Sequence, residues 1–133
     1  MRRLGIVIPA YNVAFPLKRA LQQIEEQLTD DVAVVVVDDG SADDTLQVAK
    51  QFGSEAVRVL HKENGGVGSA RNLGIKECDS EYIWFVDADD GIAPNAIATL
   101  LKTIGKSSSD CYLFGFDKLR GKSAETICLL YTS

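Results

Sequence analysis

The sequence predicts an α/β domain built on a mostly parallel sheet. Two features carry that expectation: short, continuous apolar runs rich in β-branched residues, and amphipathic helical segments between them. Strands covered on both faces read as such runs, and alternation with helices is the pattern of βαβ crossovers. Length adds a bound, because 133 residues with 46% hydrophobic content can bury one core and fall short of two ordinary domains.

Residues 4–8 (LGIVI) and 32–37 (VAVVVV) are the first two expected strands. Between them Leu17, Leu21, Ile24 and Leu28 recur at helical spacing, with Lys18, Arg19, Gln22, Glu25 and Glu26 on the other positions. Pro16 fits that helix only in its first turn. A capping-box-like Ser41-x-x-Asp44 then precedes Leu46, Ala49 and Phe52, predicting a second helix, and residues 57–60 (VRVL) predict a third strand. The glycine-rich NGGVGS opens a helix running to about Glu77, and residues 81–86 form a fourth strand. Pro94 starts a further helix through Leu100, Leu101 and Ile104, and residues 110–116 are expected as a fifth strand.

Fourteen basic and nineteen acidic residues give a net charge of −5, without a block of like charge, which argues against nonspecific binding of nucleic acid or anionic lipid. Cys78, Cys111 and Cys128 form neither a CxxC pair nor a disulfide framework, so a reducing, cytoplasmic setting is expected. The opening MRRLGIVIPAYN reads as a strand and not as a secretory signal, since Pro9, Tyr11 and Asn12 stand where a small-residue cleavage site would follow. No run of eighteen apolar residues occurs, so no membrane span is expected in this chain, which leaves room for peripheral association.

In open α/β sheets, ligands bind beyond the carboxyl ends of the strands. Three polar groups fall at such ends: Pro9-Ala10-Tyr11-Asn12, Asp38-Asp39-Gly40-Ser41 and Asp87-Ala88-Asp89-Asp90. If the backbone stays extended through the last of these, Asp87 and Asp89 share a face and can share a cation. Hard carboxylate oxygens suit Mg²⁺ or Mn²⁺, and a sparse acidic pair fits a metal–diphosphate site better than a full protein cage. The blander reading is a solvated acidic loop. Asp38 or Asp39 can cap the following turn or accept hydrogen bonds from a base or ribose. NGGVGSARN lacks the third small residue of a dinucleotide fingerprint and does not follow the first strand, so its glycines are read as a turn or a close backbone approach, with an anion favoured at the helix start. Arg71 would lie in that first turn, facing a phosphate or a neighbouring aspartate. His61 is expected to be a surface or loop residue.

Taken in order, IVIPAYN, VVVVDDGSADDT, NGGVGSARNLGI and EYIWFVDADD resemble family 2 glycosyltransferases, the inverting enzymes of GT-A fold that use nucleotide-sugar donors. The resemblance covers roughly residues 3 to 104 and implies a Rossmann-like alternating β/α domain over residues 1–127. It implies that Pro9, Ala10 and Tyr11 line the nucleoside pocket, that Asp39 with Asp38 beside it meets the base, and that Arg71 helps hold the nucleotide. Asp87, with Ala88 beside it, would face the ribose, and Asp89 would bind Mn²⁺ or Mg²⁺ bridging the donor diphosphate, with Asp90 completing the loop. The implied reaction is transfer of a hexose-like sugar, most often from a UDP-sugar, to a carbohydrate or lipid-linked acceptor, as in cell-envelope polysaccharide synthesis. The family's general base comes from a later segment, so the chain is expected to be incomplete as a catalyst. ICLLYTS resembles translated sequencing-adapter read-through, and residues 128–133 are expected to be a non-native or truncated tail, the alternative being a short strand over residues 126–131.

Two other readings compete. A non-catalytic nucleotide-binding or receiver-like module would use Asp38-Asp39 as an acidic pocket. Its acidic pair, phosphate-accepting aspartate and lysine belong after strands one, three and five, where Ala10, His61 and Asp117 stand instead. A purely structural α/β domain would use the strand-end aspartates as caps and bind neither nucleotide nor metal.

Overall fold

A computed structural model describes residues 1–106, 109–113, 116–120, 123–127 and 131–132. The chain divides into two compact units, residues 1–101 and 102–133. In the first, β1 (Arg2–Ala10), α1 (Ala14–Glu25), β2 (Val32–Asp38), α2 (Thr45–Gln51), β3 (Val57–His61), α3 (Val67–Glu77) and β4 (Ser80–Phe85) alternate, and α4 (Ala96–Lys106) follows and runs across the boundary. The strands form one parallel sheet in the order β3-β2-β1-β4. Ala10 lies opposite Asp38 and Asp38 opposite His61, so three strand ends share one edge, while β4 runs parallel to them and ends earlier, with Phe85 opposite Val7.

Strand periodicity divides the side chains between two cores. Leu4, Ile6 and Ile8 of β1 and Val32, Val34 and Val36 of β2 pack with Leu17, Leu21 and Ile24 of α1, Ala49 of α2 and Ile97 of α4. Val35 and Val37 point the other way and pack with Ala70, Leu60 and Leu73, which sets α3 on the opposite face. α3 comes close because Gly74 has no side chain: a Cβ there would overlap Val7 Cγ1. With both faces covered, the continuous apolar runs are explained without appeal to propensity.

Several boundaries differ from expectation. Asp44, not Ser41, stands at the start of α2, and it makes no side-chain cap bond. Ser41 instead accepts from the Asn12 amide at 3.0 Å while Asn12 Oδ1 accepts from the Ala42 amide at 2.8 Å, a reciprocal stitch between the loops after β1 and β2. Those loops are tied again where Thr45 Oγ1 accepts from the Val13 amide at 2.9 Å, so the start of α1 is capped from α2. The helix after Pro94 begins at Ala96, behind Asn95, whose φ is +67°.

In the second unit the described part of the expected fifth strand, residues 110–116, includes β5 (Tyr112–Leu113), which pairs antiparallel with β8 (Tyr131–Thr132), while residues 114–115 lie outside the described residues. β6 (Phe116–Arg120) and β7 (Ser123–Ile127) form an antiparallel pair with Phe116 opposite Ile127. Of the tail 128–133, residues 128–130 and 133 lie outside the described residues.

Candidate functional site

The ends of β1, β2 and β4 and the start of α3 enclose an open cavity of about 480 Å³, lined by Pro9, Ala10, Tyr11, Asp39, Arg71, Asp87, Ala88 and Asp89, together with Val13, Asn64, Gly66, Val67 and Ala70. Of the candidates named from sequence, Asp38 and Asp90 are not in the wall, and the other nucleotide and metal candidates are. Strand alternation turns Asp38 away from its neighbour: it is fully buried, its Oδ2 lies 2.7 Å from His61 Nδ1, and its Oδ1 accepts from the Ser41 amide at 3.3 Å. Asp38 thereby ties β2 to the end of β3 and to the loop that follows β2. His61 is exposed at the end of β3, yet it is engaged, not idle.

Asp39 carries the most developed interactions of the site. Its side chain is 5% exposed and receives Lys62 Nζ at 2.9 Å and the Gly65 amide at 3.0 Å on Oδ1, and the Gly66 amide at 2.9 Å on Oδ2. The carboxylate is itself the anion at the start of α3, which the sequence left open. Gly66 enables this with φ of +94°, a backbone shape that residues with a Cβ rarely adopt. Burial pushes the Asp39 carboxyl upward, but the Lys62 bond, the two glycine amides and the lysine charge outweigh it and hold the group below the usual carboxylate range. Asn64 Nδ2 adds a bond to the Asp39 carbonyl at 3.1 Å.

The acidic loop after β4 is different in kind. Its chain turns at Ala88–Asp89, with the Asp90 amide bonded to the Asp87 carbonyl at 3.0 Å, so the condition of an extended backbone, under which Asp87 and Asp89 would share a face, is not met. The turn gathers the carboxylates nonetheless: oxygens of Asp87, Asp89 and Asp90 all lie within 4.8 Å of one another. Burial and then the charges of Asp89 and Asp87 push the Asp90 carboxyl upward. Converging hard oxygen donors under mutual repulsion are a donor set that fits a divalent cation. Arg71 Nη2 reaches Asp87 Oδ1 at 3.2 Å, in a pair whose side chains are 38% and 49% exposed, and its guanidinium lies 5.8 Å from the centroid of the Phe85 ring. Arg71 Nε is enclosed with no hydrogen-bond partner.

These strand-end groups are what the four sequence motifs bring together. The profile described as Glycosyl transferase family 2 matches residues 5–127. The chain belongs to glycosyl transferase family 2. Glycosyltransferase GlyA of Streptococcus pneumoniae is 34% identical over 110 residues, covering 81% of this chain and 16% of its own. The solved structure of S. aureus TarS 1-349 in complex with UDP superposes with a TM-score of 0.73 at 28% identity, covering 78% of this chain and 32% of that one. A mannosyltransferase, PcManGT from Pyrobaculum calidifontis, solved with GDP-Man and Mn²⁺, gives 0.69 at 27% identity over 77% of this chain and 32% of its own. The family 2 chain thus spans only a minor part of each of these relatives, and its four-stranded parallel sheet with alternating helices is the GT-A arrangement.

The sequence reading missed Lys62 and Asn64 in this family 2 site, though a signal for Lys62 was present. In a parallel sheet with Asp38 opposite His61, the next residue of each strand also comes together, which sets Lys62 beside Asp39.

Proposed function

We propose that the cavity is the donor site of a glycosyltransferase that moves a sugar from a nucleoside-diphosphate donor, of the UDP-sugar type, to an acceptor hydroxyl with inversion. The observation that carries this reading is the convergence of Asp39, Arg71, Asp87 and Asp89 on one cavity in a chain of this family. Pro9, Ala10 and Tyr11 supply the wall against the nucleoside, Tyr11 being half exposed and free to cover an aromatic base. A carboxylate offers about four acceptor positions, so Asp39, with three occupied, retains one for an N–H of the base. Asp87 faces the ribose hydroxyls as acceptor. Arg71 exchanges its half-exposed pair with Asp87 for the donor's phosphates, an exchange that costs little because such pairs contribute about 1 kcal/mol or less.

Asp89, with Asp87 and Asp90 beside it, would hold Mn²⁺ or Mg²⁺, which would offset charge gathering on the departing diphosphate. The new bond joins the acceptor oxygen to the anomeric carbon as the bond to the phosphate oxygen breaks on the other face. The base that takes the acceptor's proton is assigned to a segment of a longer protein, in keeping with the 16% of GlyA that this chain spans. A carbohydrate or lipid-linked acceptor at the cytoplasmic face of a membrane completes the proposal; no described helix is long and apolar enough to cross one.

Calorimetric titration of UDP tests it. Binding in Mn²⁺ that is abolished by chelator and by Asp89→Asn is the expected result, and absence of any nucleotide binding by the folded chain overturns the donor-site reading.

A further inference from the structure

The open acceptor on Asp39 has a geometry that the surrounding donors decide. Oδ1 has both of its acceptor positions filled, one by Lys62 Nζ at 2.9 Å and one by the Gly65 amide at 3.0 Å. Oδ2 has one filled, by the Gly66 amide at 2.9 Å. The two glycine bonds are backbone bonds fixed by the turn into α3, whereas the lysine bond belongs to a side chain and can be removed alone. Lys62 is itself held in place, since its Nζ also donates to the Glu63 carbonyl at 2.6 Å.

We propose that Lys62 sets the base selectivity of this cavity: by filling Oδ1 it leaves Asp39 a single acceptor, matched to a base that offers one ring N–H, such as uracil, and mismatched to guanine, which offers a ring N–H and an amino N–H side by side. This rests on the proposed donor site. Guanine needs two adjacent acceptors, and a carboxylate with both oxygens open is their natural partner. With Oδ1 closed, the 2-amino group of guanine gains nothing from Asp39 and must give up water to enter. Lys62 is thus a positioning residue that acts through Asp39 and touches no substrate.

The experiment compares UDP, GDP and inosine diphosphate, the last being a purine like GDP without the 2-amino group, by calorimetric competition in Mn²⁺ on the 133-residue chain and on Lys62→Met. In the wild type UDP binds best, and GDP and inosine diphosphate bind equally. In Lys62→Met, GDP gains about tenfold over inosine diphosphate, the worth of one added hydrogen bond to a charged group. A merely structural role for Lys62 would weaken both purines alike and leave their ratio at one. An unchanged ratio in the variant overturns the inference while normal UDP binding keeps the donor site, and exclusion of both purines from both proteins overturns it in favour of selection by size. A wild type that binds no nucleotide removes the donor site and the inference with it. Should Lys62→Met fail to fold, the wild type decides by itself, because a clear preference for GDP over inosine diphosphate there shows two open acceptors.

Discussion

Asp39 and the Asp87–Asp90 loop border the same cavity under opposite physical conditions. Asp39 is 3% exposed and receives a lysine and two backbone amides, so its charge is satisfied by the fold before any ligand arrives. Asp89 and Asp90 are exposed, and the one ion pair of the loop among the described residues, from Arg71 to Asp87, is itself half open to solvent. The contrast teaches that the two parts are paid for differently: the first is preorganised by folding, and the second holds repulsion that a cation or a donor's partners would relieve.

The sharpest way to break that comparison is to remove each carboxylate in turn. Asp39→Ala strands the Lys62 ammonium, whose side chain is 20% exposed, and leaves two glycine amides without acceptors. Loss of one partner from a buried pair costs about 3 kcal/mol or more, so urea unfolding is expected to show a loss of that size. Asp89→Ala, at the surface, is expected to stay within about 0.5 kcal/mol. Equal effects at the two positions would mean that Asp39 is no more built into the fold than Asp89.

The next effect belongs to the frame behind Asp39. Thr45 is fully buried, and its hydroxyl accepts from the Val13 amide at 2.9 Å while donating to Asp43 Oδ1. Thr45→Val keeps the shape and deletes the acceptor, leaving a partly buried N–H unsatisfied, a change expected to cost about 1–3 kcal/mol. Since this bond ties the loop of Tyr11 to the loop of Asp39, UDP affinity is expected to fall with stability. In contrast, a stability loss with unchanged affinity would show the two loops to be independent.

Acid offers a test of the same wall without mutation. Asp39 is held low because lysine and amide bonds outweigh its burial, and Asp43 is held low chiefly by the Thr45 hydroxyl, against a burial effect that raises it. Groups depressed in the folded state contribute stability that is complete above the unfolded carboxylate value of about 3.9 and is lost as pH falls through the folded values. Unfolding free energy is therefore expected to drop below about pH 4, and the drop is expected to be shallower in Asp39→Asn. A variant with the wild-type acid slope would remove Asp39 from that account.

The same physical division explains what could be read from sequence. The parallel sheet was legible because its strands are covered on both faces and so read as unbroken apolar runs, and the strand-end placement of Pro9, Asp39 and Asp87 followed from it. The orientation of Asp38 was not, since it depends on which side of β2 each residue of the pair faces. The turn at Ala88–Asp89 was also hidden, because an acidic tetrapeptide after a strand is compatible with an extended or a turned backbone. The cap of α1 from Thr45 joins residues 32 apart and has no local signature. Local pattern fixes elements, whereas the donors around a carboxylate come from wherever the chain returns.

The smallest expected effect probes the repulsion itself. Burial and the charges of Asp89 and Asp87 raise the Asp90 carboxyl above its ordinary value, and a raised acid works against folding at neutral pH, with stability recovered as pH falls through its folded-state value. Because Asp90 is exposed and solvent screens these charges, removing that charge by Asp90→Asn in the presence of chelator should raise the midpoint of thermal unfolding by only about 2 °C, as a few tenths of a kcal/mol would in a chain of this size. The sign carries the argument, because loss of a carboxylate from the partnered wall is destabilising while loss from the acidic loop is stabilising. Added Mn²⁺ should narrow or reverse the difference, since the wild type regains with a cation what it loses to repulsion. A midpoint that falls in chelator would instead make Asp90 a stabilising partner in the loop and dissolve the contrast with Asp39.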